Sequence, residues 1–274
     1  MKGSDKPMTE TQQTVGSLLR EWRQRRRFSQ LSLAVEAEIS QRHLSFLESG
    51  RSVPSRDMVL RLVEHLDVPL RARNRILVAA GYAPVHSERG LEAPEFAAAR
   101  RVIEVLLHGH NPHPALAIDR HWTLLLANKA VGVLTEGVAE HLLQGEVNAL
   151  RLSLHPEGLA PRIQNFRQWR SHILARLARD ADNSADPRLA ALLDELKSYP
   201  VPARAVSSGG GTVTDNPVAI PLRIDSREGP LEFLSATTVF GTAVDITLSE
   251  VVIETFFPAN EETAAAMRRL TVES

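Results

Sequence analysis

The chain has 274 residues, room for one or two domains with real cores, and its 32 Lys+Arg against 33 Asp+Glu leave a net charge of -1 that neither demands nor excludes a nucleic-acid partner. The absence of cysteine excludes disulfides and thiolate metal sites and suits a reducing interior. No apolar run is long enough to span a bilayer, and the opening MKGSDKPMTETQQ lacks the apolar core of a secretory signal, so a soluble, cytoplasmic protein is expected.

Charge is unevenly spread. Residues 14–89 hold 13 arginines against 8 acids, a net of +5, whereas residues 90–274 hold 17 basic against 23 acidic side chains, a net of -6. A basic front and an acidic remainder suit a DNA-binding head on a body that should not adhere to DNA.

Residues 1–13 are polar and are expected to be disordered. A first helix starts near Thr14, with Val15, Leu18, Leu19 and Trp22 as its buried stripe. Arg23, Arg25, Arg26 and Arg27 follow; such a run is usually a solvated face, but here it is placed to neutralise phosphate. Residues 28–55, FSQLSLAVEAEISQRHLSFLESGRSVPS, read as two short helices joined by a tight turn, with Ser29 capping 30–37 and Ser40 capping 41–48. Leu33, Ala34, Ala37, Ile39, Leu44 and Leu47 form an apolar inner seam whose small residues allow close approach. Gln41, Arg42, Ser45 and an exposed Phe46 share the outward face, and Gly50 ends the helix. Ser55 caps a fourth helix with Met58, Val59, Leu62 and Leu66 inward, and Pro69 opens a fifth that Gly81 ends.

From Gln30 through I-S-x-x-x-L-S-x-L-E-x-G at 39–50, this stretch resembles the helix-turn-helix of the Xre and Cro/C1-type repressors. The resemblance implies that the second helix enters the major groove, with Gln41, Arg42 and Phe46 as base readers beside Ser45. Gln30, Ser40, Ser49 and Arg51 would then contact phosphates. Gln suits the adenine edge, Arg the guanine edge, and an aromatic the thymine methyl group. One departure is Glu38, which stands where the family's turn usually holds glycine and would cost about 1 kcal/mol if the left-handed conformation is kept.

Residues 83–90, APVHSERG, read as a linker between a head of 14–82 and a body of 91–274. The body opens with a helix over 94–108, with Val102, Ile103, Leu106 and Leu107 inward. Apolar runs at 115–118 and 122–127, parted by Asp119-Arg120, read as a hairpin, and Asn128 as the cap of the next helix. Phe166, Trp169, Ile173, Leu174 and Leu177 make one helical face, and Asp186-Pro187 starts another helix carrying Leu189, Leu192, Leu193 and Leu196. The glycine-rich run at 207–211 lacks the Lys-Ser/Thr end of a phosphate loop and reads as a flexible connection. Strands follow: Val218, Ile220, Leu222 and Ile224 alternate, then Leu231, Phe233 and Val239, then a β-branched run over 247–257. Connections this short imply antiparallel pairing. Asn260 begins a terminal helix. The expected fold is therefore a five-helix, all-α head joined to an α+β, PAS-like body with an antiparallel sheet.

ALAIDRHWTLLLANKA, LRLSLHPEGLAPRIQNFRQWRSHILARL and TTVFGTAVDITLSEVVIETFFPANEETAAAM resemble the sensor domain of the MmyB-like transcription regulators, which join an Xre-type head to a PAS-like body. The resemblance runs over about residues 14–267. It implies a dimeric bacterial regulator whose body holds a small, largely apolar, fatty-acid-like ligand and whose other partner is a double-stranded operator. Phe166, Trp169, Leu222, Phe233 and Val239 are candidate walls of the pocket, though a plain core would use the same residues. Arg162, Asn165 and Arg170 are candidate donors to a carboxylate head. The cluster His108, His110, His113 and His121 spans a Pro-rich loop with no matching acid or cysteine, so no metal is expected, and no cofactor other than such a ligand. His155-Pro156-Glu157 reads as a structural turn. No Ser-His-Asp order, HExxH or paired-carboxylate pattern stands out, so no catalysis is expected. An alternative stays open: an antitoxin-like or repressor body that serves only protein interaction or dimerisation.

Overall fold

The computed structural model describes residues 13–203, 220–240 and 245–272. Residues 1–12, the 207–211 run and Val218 lie outside these, so the expectations for them have no structural counterpart. The chain divides into two compact units, Met1–Ser87 and Glu88–Ser274. The division falls inside the stretch read as a linker.

The first unit is helical: α1 Val15–Arg25, α2 Gln30–Glu36, α3 Gln41–Glu48, α4 Arg56–His65 and α5 Leu70–Ala79. Thr14, Ser29, Ser40 and Ser55 each cap one of the first four by accepting a backbone N–H of the first turn, each cap being worth about 1 kcal/mol. All five helices end the same way. Phe28, Ile39, Arg51, Val68 and Tyr82 donate backbone N–H groups to Arg23, Ala34, Phe46, Val63 and Leu77, while the preceding residue adopts positive φ. This double-bonded ending usually holds glycine. Here only Gly50 and Gly81 do; Arg27, Glu38 and Asp67 take φ of 59°, 54° and 45°. The turn between α2 and α3 therefore keeps the glycine geometry despite Glu38, with a strain of about 1 kcal/mol.

The seam residues Leu33, Ala34, Ala37, Leu44 and Leu47 are buried, with Ile39 half-buried beside them. Gly16 explains how close α1 lies to α3: a Cβ there would stand 2.3 Å from the Leu47 carbonyl oxygen.

The second unit is a five-stranded sheet with helices on its faces. Its strands are β1 Ala115–Ile118, β2 Leu124–Ala127, β3 Leu222–Ser226, β4 Gly229–Val239 and β5 Val252–Pro258. Their order is β2-β1-β5-β4-β3, and every neighbouring pair is antiparallel. The period of two divides the sheet's residues between two cores. Ala115, Ala117 and Ile253 pack with Ile103 and Leu107 of α6 Ala97–Gly109. Ile118, Leu222, Ile224, Leu231 and Phe233 face the larger core. That core is completed by α7 Val131–Thr135, α8 Ala149–Leu154, α9 Phe166–Ser184, α10 Pro187–Ser198 and a terminal helix, Glu261–Val272. Asp186 and Asn260 cap α10 and the terminal helix as the sequence suggests. No described helix is long and apolar enough to cross a membrane.

Four local expectations are corrected. The run over 247–257 is not one strand: Asp245 accepts the N–H groups of Thr247 and Leu248 and caps a short helix, Ile246–Ser249, so pairing starts only at Val252. Trp122 lies outside β2, because Asp119 accepts the N–H groups of His121 and Thr123 and turns the chain through a positive φ of 66° at Trp122. Asn128 caps nothing; its buried amide accepts from Ala115 N–H and donates to the carbonyls of Leu107 and His113. Of the expected inward face of α6, Val102 and Leu106 are exposed, because only Ile103 and Leu107 reach the sheet.

Candidate functional sites

On α3, Gln41 and Arg42 are exposed, and so is His43, which periodicity had not singled out. Ser40 caps the helix with its hydroxyl and so lies at its amino end, where a phosphate would be favoured. Ser45 is half-buried, and Ser49 and Arg51 are exposed. Phe46 is half-buried rather than fully exposed. The reason is local: the Arg42 and Arg51 guanidinium groups lie 5.3 and 5.8 Å from its ring centroid. Such stacking leaves the planar forks of both arginines beside the outward face with their N–H edges available for base or phosphate.

Behind this face stands a buried ion pair. Arg23 Nε and Nη2 donate to Glu48 Oε1 and Oε2 at 2.6 and 2.9 Å, and Arg23 Nη1 donates to the Phe28 carbonyl at 2.8 Å. Gln30 Nε2 donates to Glu48 Oε2 at 2.9 Å, so its amide group is anchored where the resemblance puts a phosphate contact. The arginine run thus splits. Arg23 is buried, and Arg26 donates to the Leu66 and Asp67 carbonyls at the end of α4; Arg25 and Arg27 are exposed. Arg23 is withdrawn from the phosphate set by its burial against Glu48.

In the second unit, a cavity of about 770 Å³, counting the part open to solvent, lies between the sheet and α7–α9. Its walls are mostly aliphatic and aromatic, among them Leu116, Trp122, Leu134, Leu150, Trp169, Ile173, Leu222 and Phe256. Of the expected walls, Trp169 and Leu222 line it. Phe166 and Phe233 are wholly buried in the core beside it. Val239 is 57% exposed at the end of β4 and is not among the lining residues.

The three expected head-group donors do not line the cavity; each is engaged in holding the fold. Arg162 donates to the carbonyls of Val133, Leu134, Glu136 and Asp225, and burial holds its guanidinium below the usual range. Asn165 donates to the Pro221 carbonyl and accepts from Arg223 N–H, tying the start of α9 to β3. Arg170 closes the end of α10 through the Leu196 and Lys197 carbonyls.

The cavity's polar groups are others. Arg176 on α9 pairs with Glu254 of β5, its Nη2 donating to Oε1 at 2.5 Å; Thr237 Oγ1 donates to the same oxygen at 3.0 Å. The Arg176 guanidinium also lies 4.5 Å from the Trp122 ring centroid. Nearby His172 is held below the ordinary imidazole range, by burial first and then by Arg176 and Arg179. Burial raises Asp180 above the usual carboxylate range against the pull of the same two arginines. Ser153 Oγ accepts the indole N–H of Trp169 at 2.9 Å, which leaves its own proton to give. Sequence reasoning missed Arg176 and Glu254. Seven residues part Arg176 from Trp169, two helical turns on the same face, and that spacing was the available signal.

The histidines of the Pro-rich loop serve separate purposes. His110 Nε2 meets the Phe256 carbonyl, and His121 Nε2 meets Asp186. Elsewhere, His141, His155 and Glu157 bring possible ligand atoms within 4.8 Å of one another. His155 Nδ1, however, accepts the Glu157 N–H at 3.1 Å, a bond that closes the turn.

Comparison with known proteins adds independent findings. A family model for the MmyB-like transcription regulator ligand binding domain matches residues 99–270, and one for a helix-turn-helix domain matches residues 14–76. No curated protein matches the chain. Among solved structures, an RNA-binding Light-Oxygen-Voltage receptor is similar at 14% identity and a TM-score of 0.24, over 94% of this chain and 64% of that one. So low a score bears on neither fold nor function.

Proposed function

Because the chain belongs to the MmyB-like transcription regulators, joining a helix-turn-helix DNA-binding domain to a small-molecule-binding domain, we propose that it reads a roughly palindromic operator as a homodimer under the control of an acyl-chain ligand resembling a fatty acid. The observation that carries the ligand class is the cavity under the sheet, with its aliphatic and aromatic walls and only a few polar groups among its described lining residues. Dimerisation is supported by a strip of exposed apolar side chains on α6, Val102, Val105 and Leu106, which are 50, 65 and 45% exposed. A single head of this size also buries little surface on DNA and needs its twin for useful affinity.

In this reading the ligand favours one arrangement of the dimer over another, and the arrangements differ in whether the two α3 helices can enter successive major grooves. The body acts as a sensor without turnover, in the cytoplasm. The same α6 strip also suits a body that serves dimerisation alone. Native mass spectrometry of the protein purified from cells, with extraction of bound lipid, separates the two: a retained acyl-chain compound supports the sensor, and a body that stays empty and indifferent to added lipid leaves the interaction module. For the head, Arg42→Ala should lose about 1 to 3 kcal/mol of discrimination between operator and random duplex without loss of folding. Unchanged binding to both duplexes would remove Arg42 from the reading set.

A further inference from the structure

We infer that the polar lining of the cavity selects an uncharged, hydrogen-bonding head group, such as an alcohol, ester, amide or lactone, over a free carboxylate. The inference rests on the apolar-ligand reading above and narrows it to a derivative of the acyl chain.

Among the described residues, three ionisable ones line the cavity: His172, Arg176 and Glu254. Glu254 is 4% exposed and takes both the Arg176 guanidinium and the Thr237 hydroxyl on one oxygen. Arg176 is held on a second side by the face of Trp122. Arg176, the one full cation among the described lining residues, is therefore already matched by a buried anion. His172 adds no charge near neutral pH, since burial and the adjacent arginines disfavour its protonation. The next charged groups along α9, Arg179 and Asp180, also oppose each other in sign.

An incoming carboxylate would lose its water shell and find no unmatched cation. It would also stand beside Glu254, and like charges in a desolvated site disfavour each other. Taking Arg176 for itself would strand Glu254 as a buried, uncompensated anion, the costlier outcome. A neutral head meets none of these penalties. The hydroxyls of Ser153, Thr135 and Ser235 and the neutral His172 ring, all on the lining, offer it both donors and acceptors.

The test uses the full-length protein and three probes of equal chain length: dodecanoic acid, methyl dodecanoate and dodecanol. Since the ester is intrinsically more apolar, the informative quantity is the ratio of acid to ester affinity compared across variants at neutral pH. Glu254→Gln keeps the shape and leaves Arg176 unmatched, so the acid-to-ester ratio should shift toward the acid by about 10-fold or more. The double variant Glu254→Gln/Arg176→Gln is neutral again and should return the ratio to its original value, which separates charge from any loss of packing. Tighter binding of acid than ester by the unmodified protein, or a ratio blind to Glu254→Gln, overturns the head-group assignment and leaves the apolar-ligand reading standing. Failure of all three probes to bind overturns both.

Discussion

The buried ion pair behind the reading helix offers the sharpest test of how the head is held together. Replacing Arg23 by Met removes both bonds to Glu48 and the bond to the Phe28 carbonyl. It leaves a carboxylate whose side chain is 3% exposed with the Gln30 amide as its one remaining partner among the described residues. Breaking a buried pair on one side costs about 3 to 5 kcal/mol, because the remaining charge must be desolvated without compensation. A domain of this length has a stability of about 4 to 10 kcal/mol, so the loss is a large share of the whole. At about 1.4 kcal/mol per factor of ten, the slowest-exchanging amides of α1 and α3 should exchange at least ~100-fold faster in the full-length protein. Amides of β1 and β5, in the other unit, serve as the internal control. The double variant Arg23→Met/Glu48→Met, which removes both charges, should recover most of the loss, since apolar replacement of a whole buried pair is often neutral or better. If Arg23→Met leaves exchange within a factor of about five, or the double variant is no better than the single, the pair does not hold the helices.

Two further outcomes follow from single positions. Gly16→Ala should destabilise the head by about 1 to 3 kcal/mol, because the added methyl meets backbone oxygens that cannot rotate away and this outweighs the ~1 kcal/mol of helix propensity gained; a raised melting temperature would contradict the close approach of α1 to α3. Tyr199, raised to about 12 by burial and then by its bond to Glu195, favours the neutral phenol, so its contribution to stability is complete below about 10 and is lost as pH rises through 12. In a Tyr82→Phe variant, where Tyr199 is the remaining phenol, ultraviolet titration should place the tyrosinate transition near 12, and a transition near 10 would refute the buried pairing.

What was legible in the sequence is what short-range chemistry decides. Ser29, Ser40, Ser55, Asp186 and Asn260 were readable as caps because the accepting side chain and the donating N–H lie two or three residues apart. The stripe of α9 was readable because burial recurs at helical spacing. Asn128 misled for the same reason: Asn before a helix is a good cap, but its amide satisfies Leu107, His113 and Ala115 instead, contacts that exist only once α6 and β1 are in place. Arg162, Asn165 and Arg170 failed as head-group donors on similar grounds. Arginine on a helix beside a pocket can face ligand or carbonyl, and the carbonyls that claim Arg162 come from residues up to 63 positions away.

The charge pairs that matter most were invisible for a further reason. Arg23 opens a run whose members Arg25 and Arg27 are exposed, and Glu48 closes a helix whose outward face is polar, so nothing local marks that these two turn inward. Arg176 and Glu254 are 78 residues apart, and Glu254 sits in a β-branched run where an acid reads as the solvent face of an edge. Burying such a residue is tolerable only with a partner already placed, so the partner's position carries the information. The helix endings give the converse case. At Arg27, Glu38 and Asp67 the usual glycine is missing, yet the next residue is apolar, with Val68 buried and Phe28 and Ile39 half-buried, and it closes the ending with its N–H. An apolar residue just past a helix therefore fixes the left-handed turn even where glycine's freedom is absent, which is why Glu38 alters the strain at the turn and leaves the placement of α3 intact.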